Sequence, residues 1–126
     1  MPLETVLTEP VDDRFRRGDI WVVDFGDAPS APEQDFHRPA LIVSDDRLHH
    51  PNLRMLVVVP GTSTIRGLSL HVVAEPDEIS GLDTATAFQV EQVRAVSTHR
   101  AVRRLGTASS AVRYSIDDVL RLVLKL

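Results

Sequence analysis

Three short apolar runs stand out along the chain: Ile20 to Phe25 (IWVVDF), Pro39 to Ser44 (PALIVS) and Met55 to Pro60 (MLVVVP). Each is rich in Val or Ile and bounded by Gly, Pro, Asp or Asn, a pattern that predicts buried strands. Two weaker, partly alternating segments, Ser69 to Ala74 and Thr86 to Val96, extend the series. Five or more short strands with turn signals between them predict a small antiparallel sheet or barrel, mainly β, rather than alternating βαβ units. Then the period changes. From Ser110 onward, Val112, Ile116, Val119, Leu120 and Val123 recur at helical spacing, which predicts a C-terminal helix with one apolar face. Gly106 to Ser110 reads as the break ahead of it, with Ser109 or Ser110 as N-cap. Asp117, four residues before Arg121, has the spacing of a surface ion pair. Residues 1–14 carry two prolines, several acids and no periodicity. They read as a loosely ordered extension, leaving residues 15–126 as one domain.

Composition narrows the function classes. The 126 residues include no cysteine, which excludes a disulfide framework, a thiolate zinc site and a thiol nucleophile, and fits a cytoplasmic location. No apolar run approaches the ~18–20 residues of a membrane span, and the N-terminus lacks a signal-peptide pattern. Acids outnumber bases 18 to 14, but Glu4, Glu9, Asp12 and Asp13 all precede the first arginine. The rest of the chain is balanced, so net charge does not exclude a polyanionic partner. Residues 94–113 hold Arg94, Arg100, Arg103, Arg104 and Arg113, with His99 and no acid. Such a run is either a solvated face or a source of attraction for a polyanion.

Strand order brings candidate chemistry together. The strands at 39–44 and 55–60 are consecutive and predicted to pair antiparallel, which sets Arg38 and Thr62 at one rim of the sheet. The twelve-residue connection from Gly26 to His37 passes over the same rim. That end of the fold collects Glu33, Gln34, His37, Arg38 and the hydroxyls of Thr62, Ser63 and Thr64. Pro39 holds Arg38 in extended backbone, and Pro60-Gly61 ends its strand and presents Thr62 at the corner. A guanidinium fork beside small rotatable hydroxyls can cradle a phosphate. The ordinary alternatives are an Arg38–Glu33 ion pair, a Ser/Thr turn at 62–64 and a packing role for His37. His49, His50 and His71 lack the spacing of a metal site, so none is assigned. No phosphate-binding glycine loop or nucleophile elbow is present. From the residues alone, the chain is a small β-rich domain with an anion-binding rim.

The segments RGDIWVVDF (Arg17 to Phe25), HRPALIVS (His37 to Ser44, preceded by Glu33 and Gln34), VVVPGTST (Val57 to Thr64), Gly81–Leu82, VEQVRAVS (Val90 to Ser97), RLG (Arg104 to Gly106) and the terminal LRLVLKL follow one another in a set order. Together they resemble the MazF/PemK-like (Kid-like) toxin ribonucleases over residues 16–126. The resemblance implies an SH3-like barrel with a C-terminal helix, of the CcdB/MazF-like kind, acting as a homodimer. It implies cleavage of single-stranded RNA, usually mRNA, at selected sequences, without metal or cofactor, and restraint by a cognate antitoxin. By position it assigns catalysis to Arg38 and Thr62, with Glu33 as an accompanying acid, and RNA contact to Gln92 and Arg94. Gln34, His37 and Ser63 fall beside them as further RNA-binding residues. Arginine is a poor resting base, which leaves Glu33 or His37 for proton transfer. Two features depart from the family pattern: Gly61 ahead of Thr62, and the acidic, proline-bearing connection 26–37, whose lone aromatic is Phe36. Two other readings share the fold. A CcdB-like gyrase-binding toxin depends on a C-terminal tryptophan tip, whereas Trp21 is the sole Trp here. A catalytically silent barrel would not need Arg38 and Thr62.

Overall fold

The apolar runs become β1 (Asp19–Asp24), β2 (His37–Ile42) and β3 (Met55–Thr62), each antiparallel to the next. The computed structural model describes residues 2–26 and 36–126. Four more strands follow: β4 (His71–Ala74), β5 (Thr86–Gln89), β6 (Arg94–Ser97) and β7 (Ala101–Thr107). The sheet order is β4-β5-β3-β2-β1-β7, with β6 also paired to β3.

The segment predicted as a single strand from 86 to 96 is interrupted by a 3-10 turn at Val90–Gln92. Before the turn, β5 pairs with the end of β3, Gly61 opposite Phe88 and Thr62 opposite Ala87. After it, β6 pairs with the beginning of β3, from Val58 opposite Arg94 to Met55 opposite Ser97. The turn shifts the register and bends the sheet around β3, which starts its closure into a small barrel. Nor does β3 stop at Pro60. It continues through Gly61 to Thr62, exchanging its β6 neighbour for β5.

Closure is completed by backbone meeting backbone. The segment after β4 lies against β7, where the Thr107 N–H donates to the Ile79 carbonyl (2.8 Å). Gly81 takes φ +70°, and a Cβ there would stand 2.1 Å from the Leu105 carbonyl oxygen; one on Gly106 would stand 2.1 Å from that of Ile79. Both positions admit only glycine without displacing the chain. β7 itself extends through Gly106 to Thr107, so the break ahead of the helix is shorter than the sequence predicts.

Strand alternation gives the sheet two apolar faces. Val23, Ala40, Ile42, Leu56, Val58 and Val96 pack on one, with Phe15. Ile20, Leu41, Val43 and Val59 pack on the other, beneath α2 (Ser110–Leu124), whose Ile116 is fully buried. The Ser109 hydroxyl caps α2 by accepting from the Val112 N–H. The expected Asp117–Arg121 pair does not form. Asp117 instead binds Arg17 (2.5 Å), and Arg121 reaches Asp118 (3.2 Å). Arg17 also donates to the Val43 carbonyl, so one guanidinium ties the helix to the edge of the core. Ahead of β1, residues Leu3–Thr8 form a short helix, α1. The buried Phe15 ring sits 4.9 Å from that of Trp21.

Candidate active site at the β2–β3 rim

The β2–β3 ladder runs from Ile42 opposite Val58 to Ala40 opposite Pro60. Two residues further along each strand stand Arg38 and Thr62, which therefore share the rim that strand order predicts. Both line a cavity of about 510 Å³ together with His37, Ser63, Asp83, Thr84, Thr86 and Arg103. Arg38 also lines a second cavity of about 220 Å³, formed with Phe25, Phe36, Pro60, Gln92 and Arg94. One guanidinium is thus common to a hydroxyl-rich chamber and an aromatic one.

Gly61 makes the close approach of β3 and β5 possible beneath this rim. A Cβ on it would stand 2.6 Å from Thr86 Cγ2 and 3.2 Å from the Pro39 carbonyl oxygen. The residue that departs from the family pattern is therefore firmly packed, and it fixes Thr62 relative to the Arg38–Pro39 backbone. The Thr62 hydroxyl accepts from the Thr64 N–H (3.2 Å). The predicted Ser/Thr turn is present, and it leaves the Thr62 O–H able to donate into the cavity.

Among the described residues no carboxylate lies within ion-pairing distance of Arg38. Glu33 and Gln34 lie outside the described residues. His37 Nε2 is 3.7 Å from Asp24 Oδ2. The Gly26 N–H donates to the Asp24 carboxylate (2.8 Å) and is the chief reason its pKa lies below the usual range; His37 and Arg100 act in the same direction. Asp24 is accordingly an ionised anchor where the chain leaves β1 for the rim. In the aromatic chamber the Arg94 guanidinium stacks over the Phe25 ring at 5.4 Å, a cation–π contact that presents both groups beside Gln92.

The sequence reading did not assign Asp83, Thr84, Thr86 or Arg103 to this rim. The turn at 81–84 reaches it only because Gly81 packs on β7, and β7 carries no apolar alternation to announce itself. A larger cavity, about 580 Å³, opens at the opposite end of the barrel beside His49, His50 and Thr98. His49 is structural there, with Nδ1 on the Phe15 carbonyl (3.0 Å) and Nε2 on the Ser44 hydroxyl (2.6 Å). Among the described residues no group of three or more His, Asp or Glu could hold a metal ion. Among the described residues no helix is long and apolar enough to cross a membrane.

Comparison with known proteins gives this geometry a family. The model of the PemK-like, MazF-like toxins of type II toxin-antitoxin systems matches residues 16–124. Endoribonuclease MazF9 of Mycobacterium tuberculosis is 36% identical over 116 residues, covering 89% of this chain and 98% of that protein. Probable endoribonuclease MazF5 of the same organism is 33% identical over 90 residues, 71% of this chain and 74% of its own. Among solved structures, a MazE–MazF complex from Deinococcus radiodurans superposes with a TM-score of 0.71 at 19% identity, covering 94% of this chain and 99% of that one. A mycobacterial endoribonuclease in complex with its cognate antitoxin gives 0.70 at 24% identity, covering 89% and 96%. The fold is therefore the CcdB/MazF-like barrel, and the chain belongs to the PemK-like, MazF-like toxins of type II toxin–antitoxin systems.

Proposed function

We propose that this toxin is an endoribonuclease that cuts single-stranded RNA, mRNA above all, at the β2–β3 rim. The observation that carries the reading is the shared cavity of Arg38 and Thr62, 24 residues apart in the chain and brought together by one antiparallel pair. The relatives named endoribonucleases support it over a gyrase-binding toxin or a silent barrel.

RNA supplies its own nucleophile. The 2′-oxygen attacks the adjacent phosphorus, the bond from phosphorus to the 5′-oxygen breaks, and the products carry a 2′,3′-cyclic phosphate and a 5′-hydroxyl. One proton leaves the 2′-hydroxyl and one reaches the departing oxygen. Arg38 holds the non-bridging oxygens and stabilises the charge that builds on them, and Thr62 donates a hydrogen bond that keeps the phosphate in line. Proton transfer falls to His37 or Glu33, which separate substitutions distinguish. Ser63 extends the polar wall of the cavity, and Gln34 is a further RNA contact that the sequence resemblance implies. Gln92 offers a donor and an acceptor to a base edge, while Phe25, Phe36 and Arg94 offer stacking surfaces for an unstacked base. None of these steps requires a metal or other cofactor.

The same reading places the protein in the cytoplasm with its mRNA substrate, as a homodimer restrained by a cognate antitoxin. Its test is cleavage of a mixed RNA followed by mapping of the ends. Recurrent short cut sites bearing cyclic phosphate and 5′-hydroxyl ends are expected. Absence of cutting, with gyrase–DNA complexes trapped instead, would replace the nuclease with the gyrase-binding reading.

A further inference from the structure

We propose that Arg103 is a second phosphate-binding residue, gripping the RNA phosphodiester next to the one that is cut. The inference rests on the nuclease reading above and concerns a residue that the family motifs do not assign. β7 places it: Arg103 faces Val22 of β1, and Val22 faces Pro39 of β2. These three residues form one row across three strands, and all three line the 510 Å³ cavity that holds Arg38 and Thr62. Neighbouring strands lie about 4.8 Å apart, so the two arginines approach the chamber from backbones about 10 Å from each other. That separation suits successive phosphates better than a single one.

The other arginines of the 94–113 run are engaged elsewhere. Arg104 is held by Asp19 (3.2 Å) and Thr107 (2.8 Å), and Arg100 donates to the Asp24 carbonyl (3.2 Å). Arg94 stacks on Phe25, and the Arg113 side chain packs against Gly18. Arg103 is exposed, and among the described residues no carboxylate lies within 4.0 Å of its guanidinium, Asp83 on the same cavity included. A guanidinium so placed, with Ser63, Thr84 and Thr86 on the same walls, can present its planar fork to the two non-bridging oxygens of a phosphodiester.

The test compares wild type, Arg103→Ala, Arg103→Lys and Arg38→Ala on one cleavable oligonucleotide and its uncleavable 2′-O-methyl analogue. Arg103→Ala is expected to raise KM about tenfold with a much smaller fall in kcat. It should also lower the slope of log binding constant against log salt by about 0.7, the loss of one single-strand phosphate contact. Arg103→Lys should restore the salt slope and only part of the affinity. A KM and salt slope in Arg103→Ala equal to wild type, with melting temperature unchanged, would overturn the assignment. So would a loss confined to kcat, which would put Arg103 on the scissile phosphate itself. If Arg38→Ala cuts as wild type does, the nuclease site is misplaced and the failure belongs to the reading beneath; inactive Arg38→Ala beside a neutral Arg103→Ala sinks this inference alone.

Discussion

At position 61 a single missing side chain sets the spacing of the site. Gly61 lies in extended β3 with Thr86 and Pro39 against it, closer than a Cβ tolerates. Overpacking of this kind typically costs about 1–3 kcal/mol, and here it also pushes apart the two strands that carry Arg38 and Thr62. Gly61→Val should therefore lower the unfolding free energy measured in urea by that order and reduce cleavage beyond what the lost stability explains. In the proposed reaction Thr62 acts through one hydroxyl. Thr62→Val, nearly isosteric, should lose roughly 10²-fold in kcat, the usual cost of one donor to a developing oxyanion, whereas Thr62→Ser should retain most activity in the same assay. The shared rim of Arg38 and Thr62 was legible from the sequence because consecutive strands usually pair, and their ends then fall together. Arg103 was not. Its assignment depends on which face of β7 it occupies, and five arginines in one run look alike until the strand is placed.

Among the elements, β7 and the β5–β6 bend escaped the sequence for opposite reasons. β7 ends the sheet order, and three of its seven residues, Val102, Arg103 and Arg104, are exposed, so it shows arginines where a buried strand would show alternation; charge on an edge also guards against pairing with other chains. The bend at Val90–Gln92 is hidden because β5 and β6 both carry strand-like residues, and only the pairing of each with a different part of β3 requires the turn. α2 was readable at once, since its period and its serine cap agree. Ile116 is the residue by which it grips the sheet. Ile116→Ala should destabilise by about 2–5 kcal/mol, measured by chemical denaturation, while the rim keeps its chemistry as long as the protein is folded.

Over the whole molecule, acid is the direct probe of how the connections are held. Arg47, through its side chain and its backbone N–H, holds the Asp45 carboxyl far below the usual range; the Arg14 guanidinium lowers that of Asp12, and backbone donors from Ser80 and Ile79 lower that of Asp77. In each case the folded value lies beneath the unfolded one, so the unfolded chain binds more protons in acid. Their contribution is complete above the ordinary carboxylate value of about 3.9 and is lost as pH falls through the folded values. The melting temperature should decline between about pH 4.5 and 2, and Asp45→Asn should flatten part of that decline. The central claim concerns the rim, where Arg38 and Thr62 face one chamber and the substrate brings its own nucleophile. The decisive measurement is cleavage of a defined single-stranded RNA in EDTA by wild type and by Arg38→Ala, the latter verified as folded by its melting temperature. The account predicts that wild type still cuts, leaving cyclic phosphate ends, and that the variant is slower by two orders of magnitude or more. Cutting by Arg38→Ala at the wild-type rate, or a wild-type enzyme silenced by the chelator, would contradict it.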